Sequence, residues 1–115
     1  MEPESFIPLR SVELDILIAA ADGPVHGYAI LKEAEERQGG HPGFEVPTLY
    51  RALRRLREEG LVRSLRGVEE EPDARQRQYW QATELGREVL AAEIARLESV
   101  VEAGRRRVAG GGASA

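Results

Sequence analysis

The chain has 115 residues, 42% of them apolar, a formal charge of −4 and no cysteine. That length suits one core of ordinary domain size plus an appendage, and the lack of thiols excludes disulfides, thiolate catalysis and cysteine-ligated zinc. No apolar run approaches the ~20 residues that span a bilayer, and the acidic start Met1-Glu2-Pro3-Glu4-Ser5 does not resemble a secretory leader, so a cytoplasmic location is expected.

Residues 1–8 are expected to form a flexible N-terminal segment. From Ser11 to Asp22, Val12, Ile16, Leu17 and Ala20 recur at helical spacing, Ser11 is placed to cap, and the stretch stops at Asp22-Gly23-Pro24. This predicts a first, largely buried helix. His26 to Arg37 reads as a second, with Tyr28, Ile30, Leu31 and Ala34 available for packing, Gly27 permitting close approach of a neighbour, and His26 in a capping or turn role. Gly39 to Gly43 is a loop by composition; Phe44 and Val46 can plug the core, and Pro47-Thr48 introduces the next helix, with Thr48 as its cap.

Residues 48–66 hold six arginines against Glu58 and Glu59, a local surplus of four positive charges that leaves −8 on the rest of the chain. Over 48–59, Leu49, Ala52, Leu53 and Leu56 share one face of a 3.6-residue period. Tyr50, Arg54 and Arg57 lie along one flank, and Arg51 and Arg55 along the other. A helix that buries one side and offers guanidinium groups on the other suits a polyanion, because arginine grips phosphate or the O6/N7 edge of guanine with two parallel hydrogen bonds. Thr48 and Arg51, near the helix start, are the candidates for base contact and Tyr50 for a phosphate. The competing reading of any single arginine is a solvated residue paired with Glu45, Glu58 or Glu59, and for Arg55 with Glu59 an i,i+4 pair.

Gly60 ends this helix. Leu61 to Arg66 and Gln76 to Ala82 are strand candidates joined by a loose tip that includes Glu69, Glu70, Glu71, Pro72 and Asp73. The hairpin would carry Arg63, Arg66, Arg75 and Arg77 against the duplex, giving position more than sequence. After Thr83, a helix from Glu84 to about Val108 carries Leu90, Ile94, Leu97, Val101 and Val108 in alternating steps of four and three, with Gly104 completing the register. About 25 residues span ~37 Å, more than a small domain covers along one side, so this seam is expected to meet the same helix of a second chain. Leu90, Ile94 and Leu97 could instead fold back as ordinary core. Residues 109–115 are expected to form a disordered tail.

The expected fold is therefore mainly α with a small β-hairpin, divided as 9–82 for DNA binding and 83–108 for dimerisation. The ordered set Gly23-Pro24-x-His26-Gly27-Tyr28-x-Ile30, Thr48-Leu49-Tyr50-Arg51-Ala52-Leu53-x-x-Leu56-x-x-Glu59-Gly60-Leu61-Val62 and Tyr79-Trp80-x-x-Thr83-x-x-Gly86 resembles the PadR family of bacterial transcriptional regulators. The resemblance implies a winged helix-turn-helix with a C-terminal dimerising helix, and a repressor of nearby genes that in many members is released by a small molecule. The short C-terminal region looks like the compact subgroup that contains multidrug sensors. Two departures stand out. The wing tip is acidic where the family commonly has Gly-x-x-Arg-Lys-Tyr-Tyr. The only tryptophan, Trp80, lies on the wing strand, whereas the multidrug sensors carry theirs on the C-terminal helix.

Nothing points to catalysis or to a cofactor. His26 and His41 lack acidic partners at metal spacing, the acidic tip fits no calcium loop, and no nucleophile has a plausible base. The expected function is a homodimeric repressor binding inverted-repeat promoter DNA through helix 48–59 and wing 61–82. The alternative is a winged-helix dimer for ligand sensing or protein interaction with weak or no DNA binding.

Overall fold

The computed structural model describes residues 2–40, 43–66 and 78–111. Within these the order is a 3-10 turn at Pro3–Phe6, α1 (Ser11–Ala20), β1 (Val25–His26), α2 (Gly27–Arg37), α3 (Val46–Glu58), β2 (Val62–Arg66), β3 (Gln78–Ala82) and α4 (Glu84–Gly111). The expected loop between β2 and β3, with the acidic tip, Arg75 and Arg77, lies outside the described residues, as does His41.

The hub is α1, which is apolar nearly all round and therefore has to be surrounded. Seven of its ten residues are buried, and α2, α3, α4 and β3 all pack on it. Its N-terminus differs from expectation. Arg10, not Ser11, is the cap residue, and the Glu13 carboxylate accepts the Arg10 N–H at 2.9 Å. A carboxylate three residues into the helix can reach back to that orphan donor. The helix also stops at Ala20, short of Asp22.

On α3 the buried set is Leu49, Ala52, Leu53 and Leu56, the i, i+3, i+4, i+7 stripe that the periodicity implies. The helix begins two residues earlier than expected. Glu45 is its cap, so Thr48 sits in the first turn and not at the boundary. Val46, expected to plug the core, is 49% exposed, while Phe44 does pack against the core. The other end closes on Gly60 at φ +80°. The Leu61 N–H reaches the Leu56 carbonyl at 2.9 Å and the Gly60 N–H the Arg57 carbonyl at 3.0 Å. That pair of bonds needs a left-handed residue, which glycine supplies without strain.

The strands form one antiparallel sheet ordered β1-β3-β2. The strand β1 was not anticipated, because two residues carry no legible alternation. It pairs Val25 with Trp80 and His26 with Tyr79, which fastens the start of α2 to the hairpin. Trp80 is buried at the centre of this sheet.

Thr83 welds α3, the sheet and α4 together. Its hydroxyl donates to the Gly60 carbonyl at 2.6 Å and accepts from the Gly86 N–H at 3.0 Å, while its own N–H donates to the Leu61 carbonyl at 3.0 Å. From there α4 runs 28 residues, about 42 Å. Its first part buries Gly86, Val89, Leu90 and Glu93, whereas residues 98–111 are all exposed. Gly110 and Gly111, expected in the disordered tail, continue the helix.

The segment 1–8, expected to be flexible, is folded over its described part. The turn Pro3–Phe6 lies on α4, Phe6 and Ile7 pack against the core, and the Leu9 N–H donates to Glu93 at 2.8 Å. Glu93 is 1% exposed, and Arg96 bridges both its oxygens at 2.6 and 3.1 Å. The Arg96 hydrogen bonds, opposed by burial and aided by the Leu9 N–H, hold the Glu93 carboxyl below its ordinary value of 4.5.

Two predictions follow from these contacts. A carboxylate with a depressed pKa in the folded state adds stability above its unfolded pKa and loses it as pH falls through the folded one. Thermal melts should therefore show Glu93→Gln less stable at neutral pH, with a shallower loss of Tm on acidification below the ordinary carboxylate range. At Gly86, an added Cβ would collide with the Leu61 carbonyl oxygen, a backbone atom held in the Thr83 junction. Gly86→Ala should cost about 1–3 kcal/mol in urea unfolding, the range for overpacking.

Candidate nucleic-acid interface

The outward side of α3 is built by what its inward side buries. With Leu49, Ala52, Leu53 and Leu56 fixed inside, the positions Val46, Tyr50, Arg54 and Arg57 fall on one outer stripe, with Arg51 beside it. Arg54 is exposed and has no hydrogen-bond or ion-pair partner among the described residues. Among the described residues Arg51 reaches only the Thr48 hydroxyl, at a long 3.4 Å. None of the α3 arginines pairs with Glu45, Glu58 or Glu59 among the described residues, so the solvated-pair reading does not describe this face.

Arg55 is different from its neighbours. Its Nε and Nη2 lie 3.2 and 3.1 Å from Oε2 of Glu13, a carboxylate buried in α1. Arg55, expected to face the duplex, is engaged by Glu13, and the competing reading that pairs it with Glu59 does not hold among the described residues. Its guanidinium ties α3 to the hub, and an acid 42 positions away in sequence takes the place of the one four residues away. Asp15, two residues further along α1 than Glu13, does the same for α2, accepting from Arg37 Nη2 at 2.7 Å and Gln38 Nε2 at 3.0 Å. The one signal for these tethers was two carboxylates set inside an otherwise apolar helix.

The sheet extends the basic face. The Arg57 guanidinium stands 5.9 Å from the Trp80 ring centroid, a cation–π distance, so it is held toward the hairpin. Arg63 donates from Nη2 to Gln81 Oε1 at 3.0 Å across the β2–β3 ladder. The backbone of Arg66 pairs opposite Gln78 at the outer end of the same ladder. Trp80 Nε1 is buried without a hydrogen-bond partner among the described residues.

At the start of α2, His26 caps the helix as expected, its Nδ1 accepting the Ala29 N–H at 3.3 Å. Its ring stacks on Tyr28 at 6.3 Å and meets the edge of Tyr79 at 5.7 Å. Tyr28 was expected to pack inside but is 64% exposed. Gly27 allows close approach, since a Cβ there would run into the Tyr50 hydroxyl. Tyr50 is thus laid against the α2 backbone with its outer edge in solvent.

The expected C-terminal seam divides. Leu90 is 8% exposed and belongs to the chain's own core, as the fold-back reading had it. Leu97 is half-buried, whereas Ile94, Val101 and Val108 are open to solvent. A hollow of about 500 Å³ runs along this side of α4, floored by Ile94, Leu97 and Val101 and edged by Glu98, Glu102, Arg105 and Arg106. Among the described residues no group of His, Asp and Glu could hold a metal ion, and no helix is long and apolar enough to cross a membrane.

A helix pair set against a hairpin, with a basic helix outermost, defines a winged helix-turn-helix. Residues 16–92 match the transcriptional regulator PadR-like family, and the chain belongs to it. Solved structures agree on the fold. A PadR family transcription regulator from Clostridium difficile superposes with a TM-score of 0.75 at 21% identity, over 86% of this chain and 99% of that one. One from Eggerthella lenta gives 0.66 at 24% identity, over 85% and 81%. A 37.1 kDa transposon protein of Streptomyces fradiae is 45% identical over 87 residues, 73% of this chain but only 22% of that protein.

The two arginines at positions 54 and 55 should separate in a stability measurement. Arg55→Ala leaves Glu13 buried with a lost partner and should lower the unfolding free energy by about 1–3 kcal/mol. Arg54→Ala, on open surface, should stay within about 0.5 kcal/mol of the parent.

Proposed function

We propose that this PadR-like regulator works as a homodimer that reads an inverted repeat in promoter DNA, with repression as the outcome. The observation that carries the reading is the outer stripe of α3, where Arg54 has no partner among the described residues and stands beside Arg51, while the buried carboxylates Glu13, Asp15 and Glu93 are each matched within the fold. Thr48, Tyr50, Arg51 and Arg54 would meet the groove and its edges, and Arg57 and Arg63 the adjoining backbone. Arg66, Arg75 and Arg77 complete the wing from sequence. Arg55 is left out of the contact set because Glu13 holds it.

The exposed half of α4 supports pairing with a second copy through Ile94, Leu97, Val101 and Val108. Residues 9–82 then form the DNA-binding unit and 83–108 the dimerisation unit. A twofold arrangement brings two copies of α3 about 34 Å apart, one turn of DNA. A dimer seated across a promoter blocks polymerase, hence repression. The Thr83 junction joins α4 directly to the end of α3, so a small molecule that shifts the α4 pairing would change the α3 spacing and release the operator. The protein would act in the cytoplasm, where its DNA lies.

Purified protein challenged with fragments of its source genome should retain a discrete set. Affinity should fall by about 10³- to 10⁵-fold between 50 and 200 mM salt for six to ten phosphate contacts. Replacing Arg51 and Arg54 with alanine should abolish retention with melting temperature and dimer mass unchanged. Retention by that variant, or salt-independent binding, would reject the reading in favour of a dimer that senses ligands or proteins. By light scattering, Val101→Glu should run as a monomer.

A further inference from the structure

At the head of the α3 stripe the surface is apolar, and nothing among the described residues accounts for that. Tyr28, Val46 and Tyr50 are 64%, 49% and 42% exposed, and they wall a notch of about 120 Å³. Its floor is Leu49, buried, with Leu31 and the backbone of Gly27. The wall is held in place: Tyr28 stacks on the capping ring of His26, and Gly27 lets the Tyr50 ring lie against the start of α2. Val46 stands on the first turn of α3, eight residues before Arg54 and on the same stripe.

We propose that this notch receives the C5-methyl group of a thymine, making Val46, with Tyr28 and Tyr50, a sequence-reading contact at the leading end of α3. The inference rests on the DNA-binding reading above and deepens it. Size and surroundings decide the occupant. Pockets for drug-sized ligands measure roughly 300–1,000 Å³, so this notch is too small for an effector. It lies on the same face as the exposed Arg54 guanidinium, so its occupant travels on a polyanion. The apolar group that duplex DNA displays in its major groove is the thymine methyl. Leading residues of a reading helix are the ones that reach base edges, and Val46 leads this one. Arginine then supplies attraction and a guanine preference, and the notch distinguishes thymine from cytosine on methyl contact.

The test uses a fragment retained in the genomic selection, resynthesised with deoxyuridine replacing each thymine in turn, which deletes only the methyl group. At one thymine in each half-site the parent protein should lose about four-fold in affinity, the equivalent of ~0.8 kcal/mol for one buried methyl group. Val46→Ala should bind the thymine and deoxyuridine duplexes alike. Val46→Thr, which keeps the shape but exposes a hydroxyl, should also lose most of the difference. Position 46 is on open surface, and unchanged melting curves of both variants will confirm the fold. Retention with no deoxyuridine penalty at any thymine overturns the notch alone, as does a full penalty that survives in Val46→Ala. Failure of the parent to retain any duplex overturns the DNA-binding reading and the notch with it.

Discussion

The burial of Leu49, Ala52, Leu53 and Leu56 sets the rotation of α3 about its own axis, and the character of the molecule depends on that angle. Each leucine contributes about 1.5–3 kcal/mol when removed from water. A slip of one position, about 100° around the helix, would drive guanidinium groups into the core and bring leucines out. The apolar stripe therefore chooses which arginines are free. Arg54 goes outward, Arg57 goes toward the wing over Trp80, and Arg55 is left on the inner edge where it needs an acid.

That acid comes from the hub. Glu13, Asp15 and Glu93 are three buried carboxylates in a chain of net negative charge, and each fastens a different element to the core. Glu13 holds α3, Asp15 holds the end of α2, and Glu93 holds the N-terminal segment on α4. Leaving any one of them without its partner would strand a charge away from water, which is costly. The pairs thus act against alternative placements of the helices around α1. The consequence for function is a rigid mount: the arginines that could meet DNA are presented by a helix clamped along its inner edge, with the capped end at Gly60 and the Thr83 junction passing its position to α4.

Much of this was legible in the amino-acid sequence, for identifiable reasons. The amphipathic period of α3, the stop at Gly60, the capping role of His26 and the close approach at Gly27 all rest on local chemistry between residues a few positions apart. What escaped is non-local. The Arg55–Glu13 pair joins positions 42 apart, Leu9 and Glu93 are 84 apart, and β1 is two residues that exist as a strand only because β3 runs beside them. Cap positions shifted by one to three residues, since Glu13 could serve Arg10 and make Ser11 unnecessary. Tyr28 illustrates a different limit. Its spacing suited a buried face, but His26 offered it a stacking partner at the surface.

Residue-resolved labelling with an arginine-specific dicarbonyl, read by mass spectrometry with and without a retained duplex, tests the central claim most directly. In free protein Arg54 should label fast and Arg55 and Arg96 slowly, because carboxylates hold the latter two. With DNA bound, labelling of Arg54 and Arg51 should be suppressed while the rates at Arg55 and Arg96 stay as they were. Equal reactivity of Arg54 in the two samples would contradict the account.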